Sequence, residues 1–106
     1  MMVVTTDEIP GKKIVKSLGV VRGNTIRARH VGHDIMAGLK NIVGGEITEY
    51  TKLMGEAREQ AIDRMVEDAE RLGANAVVGL KFSTSMIMGA AAELLAYGTA
   101  VVVEDA

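Results

Sequence analysis

Cysteine is absent from the 106 residues, so the chain has no disulfide, no thiolate nucleophile and no thiolate metal site. Soft-metal chemistry would have to rest on Met and His. Tryptophan is absent as well, and one Phe and two Tyr bring the aromatic share to only 3%. Rings supply both core area and stacking surfaces for bases, so a base-stacking nucleic-acid module is not expected. A net charge of -2 removes the general attraction to phosphate backbones, and no nucleic-acid partner is expected. No apolar run approaches the roughly 20 residues that a spanning helix needs. The first residues carry no basic region followed by an apolar run and a cleavage site. The expected setting is therefore the cytoplasm, with no membrane partner. Proline occurs once, at Pro10.

What is there reads as one small α+β domain spanning residues 1–106. Its organising stretch runs from Tyr50 to Ser85. Met54, Ala57, Ala61, Met65, Ala69 and Leu72 recur at three- and four-residue spacing, and Glu56, Glu59, Asp63, Arg64, Glu67 and Glu70 fill the other side. The pattern predicts a long amphipathic helix starting between Ile47 and Thr51. Gly73 supplies a left-handed stop, and Ala76 to Thr84 alternates as a strand. Upstream, Ile35, Met36, Leu39, Ile42 and Val43 predict a short helix near 34–43, with Asp34 as N-cap and Gly44-Gly45 as its stop.

At the N-terminal end, Val3 to Thr6, Lys13 to Val21 and Thr25 to Ala28 predict two or three short strands, with a turn at Gly23-Asn24. Gly19, inside one of them, predicts a bulge or a close backbone approach. Met86 to Ala92 is expected to be a loop. Glu93 to Val103 is the last strand, and both its faces are largely apolar: Leu95, Tyr97, Thr99, Val101 and Val103 on one, Leu94, Ala96, Ala100 and Val102 on the other. Two helices can cover one face of a small antiparallel sheet, leaving the other for a second copy, so a closed homo-oligomer is expected. Charge is uneven too. Lys12, Lys13, Lys16, Arg22, Arg27 and Arg29 make the first third basic and Glu46 to Glu70 is mostly acidic, as two solvated faces or as surfaces that meet between subunits.

The segments Asp34 to Gly45, Tyr50, Glu56-Ala57-Arg58, Gly73-Ala74-Asn75-Ala76-Val77-Val78-Gly79 and Ala96-Tyr97-Gly98-Thr99-Ala100-Val101 together resemble the YbjQ-like family, which carries a heavy-metal-binding label. The resemblance implies a dodecin-like β-α-β-β core, extra short N-terminal strands that help build the assembly, and a ring-shaped homopentamer. It attaches no reaction.

Candidate chemistry is sparse. His30, His33 and Asp34 lie at helical spacings where side chains converge, which suits a divalent transition metal such as Zn, Ni or Cu. The plainer reading is two surface histidines beside a capping Asp. Met86 and Met88 offer two thioethers for Cu(I), or fill a contact. Tyr50 and Tyr97 offer hydroxyls to a ligand or to a backbone partner. Backbone N–H groups at Ile42 to Gly45 would attract an anion that Glu46 and Glu49 repel. The acidic helix face suits hard cations only if its carboxylates converge. No nucleophile with a placed base is recognisable, so the expected function is a non-enzymatic oligomeric binding protein holding a metal ion or small ligand at subunit junctions. The alternative is a ring module whose purpose is assembly or protein interaction.

Overall fold

The computed structural model describes residues 1–27, 45–87 and 91–106. The elements are β1 (Met2–Val3), β2 (Lys12–Arg27), α1 (Gly45–Arg71), β3 (Ala76–Ile87) and β4 (Ala91–Asp105). The strands form one sheet in the order β1-β3-β4-β2, in which β1 runs parallel to β3 and the other pairs are antiparallel. The expected β-α-β-β order is therefore present as β2-α1-β3-β4, but the sheet is mixed rather than purely antiparallel. The parallel pairing is long-range: it joins Met2 to Ala76 and Val3 to Val77. Backbone bonds from Val4 N to Val77 O, Leu80 N to Val4 O and Gly79 N to Thr6 O then carry the N-terminal segment along β3.

One row of α1 faces the sheet. Ala57, Ala61, Met65 and Ala69 are all fully buried at four-residue steps, so the expected apolar stripe is the packed one. Ala61, Met65 and Ala69 meet Val21, Val77, Ala96 and Ala100 in one core cluster. Three of the four helix residues are alanines, which brings the helix backbone down onto β2. Gly23 lies beneath it, where a side chain would run into the backbone at Ala61 and Met65. That is why Gly23-Asn24 is not a turn: β2 runs unbroken through it, and the glycine serves a close approach between layers. Next to it Thr25, 2% exposed, donates its hydroxyl to the Ala57 carbonyl at 3.2 Å, so its buried oxygen is satisfied.

The helix starts at Gly45, slightly earlier than its spacing predicts, and ends as predicted. Gly73 has φ 86°, its N–H bonds to Glu70 O, and Ala74 N–H bonds back to Ala69 O. This double closure satisfies the last carbonyls. Leu72 falls past the final turn and is exposed rather than part of the buried row. The bulge expected at Gly19 is present, with φ 105° and a register shift after Ser17. Of the region expected to be a loop, Met86 and Ile87 belong to β3 and pair with Ala92 and Ala91 of β4, while residues 88–90 lie outside the described residues. The short helix expected near 34–43 lies outside the described residues.

A second cluster, on the sheet face away from the helix, joins Ile9, Ala76, Val78 and Val101, with Val4 and Val103 against it. The N-terminal segment thus covers one end of that face. Beside it Asn75 ties β3 to β4, donating to Val103 O at 2.9 Å and accepting from Val103 N at 2.8 Å. At the far tip of β2 and β4, Lys12 Nζ meets Asp105 Oδ1 at 2.5 Å. The hydrogen bond from Lys12, and then its charge, hold the Asp105 carboxyl below the usual carboxylate range. A lowered pKa in the folded state means that this pair adds stability above the unfolded-state pKa and loses it as pH falls through the folded one. In a carboxyl NMR titration, Lys12→Met is expected to move the Asp105 midpoint up to the ordinary range. An unchanged midpoint would rule out the pairing.

The described structure is long and thin, 55 × 24 × 16 Å, with a radius of gyration of 17.0 Å. A compact domain of this length would have one of about 13 Å. Much of the sheet therefore extends where this chain's own helix does not follow.

Candidate functional site

Residues paired across a sheet share a face, and the register separates the two faces cleanly. Val21, Gly23 and Thr25 of β2 pair with Gly98, Ala96 and Leu94 of β4, all buried under α1. The alternate positions form the opposite face: Val20 with Thr99, Arg22 with Tyr97, Asn24 with Leu95, and Ile26 with Glu93. On the other flank β3 adds Lys81 beside Tyr97, Ser83 beside Leu95 and Ser85 beside Glu93.

This second face is open away from the Ile9 cluster. Val20 is 66% and Ile26 56% exposed, the two highest values among the exposed large hydrophobic side chains, and both stand on it. Leu95, Tyr97 and Thr99 are half-buried between them. Across its middle runs the row Arg22, Tyr97, Lys81, a phenol between two cations. Asn24 Nδ2 donates to Glu93 Oε2 at 3.2 Å, so the carboxylate on this face already has a partner.

The outer edge of β2 is treated differently from its face. Asp68 Oδ2 accepts from Arg22 N at 3.3 Å, and Arg64 Nη1 donates to Asn24 O at 2.6 Å. Two helix side chains thus occupy backbone groups of the last strand in the sheet, which blunts that edge against another strand. What the site offers chemically is a flat, partly apolar surface with two cations at its centre.

Most of the predicted ligand atoms fall elsewhere. His30, His33, Asp34 and Met88 lie outside the described residues, as do the side chains of Tyr50 and Met86. Glu56, Glu59, Asp63, Glu67 and Glu70 are all exposed along one side of α1, which is the solvated face rather than a converging cluster. Among the described residues no three of His, Cys, Asp and Glu come together to hold a metal ion. The described residues alone therefore do not fit one. Of the candidates whose side chains are described, Tyr97 is the one that stands on the open sheet face. The approach of Arg22 and Lys81 on either side of it has no signature in sequence, because they are 59 positions apart and meet only through β4. The alternation Lys81, Ser83, Ser85 was the available signal for a polar outer side of β3.

Residues 1–104 match the family model described as "Putative heavy-metal-binding", the YbjQ family. The chain is 63% identical over 101 residues to a UPF0145 protein of Methanosarcina acetivorans, covering 95% of each. It is 61% identical over 105 residues to one from Clostridioides difficile, covering 99% of this chain and 94% of the other. A similar fold is seen in a Pediococcus pentosaceus protein of unknown function from the DUF74 family, with TM-score 0.65, 18% identity and 98% of each chain covered. Among the described residues no helix is long and apolar enough to cross a membrane.

Proposed function

The chain belongs to the YbjQ-like family, and from that premise we propose that it is a self-assembling binding module, a homo-oligomer whose copies cover one another's open sheet faces. The observation that carries this reading is the open face itself. Val20 and Ile26 stand exposed beside Leu95 and Tyr97 on a sheet that this chain's helix covers on one side only. Contiguous apolar surface of this kind marks an interaction site, because an antiparallel sheet that leaves one face to water carries polar residues on it. The elongated shape supports it further, since a thin layer has little interior of its own. Five copies in a closed ring is the number that the family resemblance implies.

Assembly also gives the metal label a physical setting. Residues 28–44 hold both histidines of the chain, His30 and His33, together with Asp34, and donors from neighbouring copies would complete a coordination shell at a junction. Mass in solution tests the assembly and elemental analysis the cargo. Untagged protein at micromolar concentration is expected to sediment as a multiple of 11.3 kDa. It is also expected to retain Zn, Cu or Ni, which His30→Ala/His33→Ala would lose. A monomer sinks the assembly, and a metal content equal in both proteins sinks the histidine site. The alternative is a ring serving assembly or protein interaction alone.

A further inference from the structure

We infer that the open sheet face of one copy receives the acidic outer row of α1 from the next copy, an inference that rests on the self-assembly reading above. The two surfaces are complementary in charge. The acceptor face has Arg22 and Lys81 at its centre, and its carboxylate, Glu93, is engaged by Asn24. The donor row has Glu56, Glu59, Asp63, Glu67 and Glu70, all exposed. Of the cations on the same helix, Arg64 is turned onto the Asn24 carbonyl and Arg71 bonds its own Glu67 carbonyl. Lys52 and Arg58 lie near or before the N-terminal end of the acidic row.

The surfaces also match in length and in apolar content. The fourteen residue steps of helix from Glu56 to Glu70 rise ~21 Å, and the six steps of strand from Val20 to Ile26 extend ~20 Å. Ile62 and Val66, half-buried on the flank of the acidic row, provide apolar partners for Val20, Leu95 and Ile26. A helix seated there turns a two-layer molecule into a sheet covered on both sides. Strand addition at β2 is the competing mode, and Arg64 and Asp68 stand in its way.

Donor and acceptor lie on opposite sides of one copy, so the contact is head-to-tail. Such contacts close into rings when the rotation permits, rather than stopping at a two-fold dimer. Charge steers and registers a contact of this type, and reversal on one side puts like charges together.

The experiment is a charge swap read by sedimentation at about 0.1 M salt, where exposed charges within about 10 Å still interact. Arg22→Glu/Lys81→Glu and, separately, Glu59→Lys/Asp63→Lys are each expected to raise the dissociation concentration at least tenfold. The chain carrying all four changes is expected to regain the assembly of the unaltered protein. Circular dichroism checks that each variant is folded. Should either reversed variant fail to fold, Arg22→Gln/Lys81→Gln replaces it, with a weaker loss expected. Assembly unaffected by the reversals, as strand addition would give, overturns the inference while leaving self-assembly intact. So does failure of the fourfold variant to reassociate. An unaltered protein that is itself monomeric removes the self-assembly reading, and this contact with it.

Discussion

Gly23→Ala is expected to lower the unfolding free energy by about 3 kcal/mol or more, the upper range for overpacking, because the atoms in the way are backbone. The added methyl would overlap the Ala61 carbonyl oxygen and the Met65 amide nitrogen, with the Arg64 carbonyl carbon 2.8 Å away. A crowded side chain can rotate aside. A helix backbone can yield only by lifting, and lifting α1 uncovers Val21, Ala57, Ala61 and Met65 together. Gly98→Ala is the informative comparison, since its nearest neighbour is a valine methyl, Val77 Cγ1, at 2.8 Å, with Val78 O at 3.0 Å. Its loss should be smaller. Urea unfolding followed by circular dichroism, at one fixed protein concentration because any self-association would add to stability, measures both. Equal stability of Gly23→Ala and the unaltered protein would mean that the helix does not rest on β2 as described.

Met65→Ala is the second large effect, about 3 kcal/mol from the ordinary range for deleting a buried long side chain. Met65 is the bulkiest of the fully buried side chains among the described residues, and its neighbours Ala61, Ala69, Ala96 and Ala100 are too small to collapse into the space it leaves. Met65→Leu, close in volume, should cost far less. A fall in urea midpoint for the alanine variant with an unchanged slope would identify the cause as lost packing. A Met65→Ala protein as stable as the original would mean that this side chain is not the keystone of the helix–sheet contact.

These two sites differ in how far the chain announces them. Met65 was readable, because Ala57, Ala61, Met65 and Ala69 follow helical spacing and burial of one face is what makes such a helix stable. Gly73 was readable for a similar reason, a glycine directly after the last periodic turn. Gly23 was not. A Gly-Asn pair has one local signature whether the chain turns there or another backbone presses on it, and only the packed helix decides between them. Pairing of Met2 and Val3 with residues 74 positions further on had no local signature either. For the open face, the two-sided apolar character of β4 pointed to uncovered surface, whereas the meeting of Arg22, Tyr97 and Lys81 needed the register, which a bulge between Val78 and Lys81 shifts.

The hold of Asp68 and Arg64 on the Arg22 and Asn24 backbone has a bearing on how the molecule ages. A sixteen-residue rim strand is a natural seed for cross-β stacking, in which each arriving chain templates another without limit. With two of its rungs clasped by the helix above, fibril growth at that stretch requires the helix to let go first. Protection from amyloid is thus tied to the same helix–sheet grip that Gly23 permits, and loosening one surrenders the other.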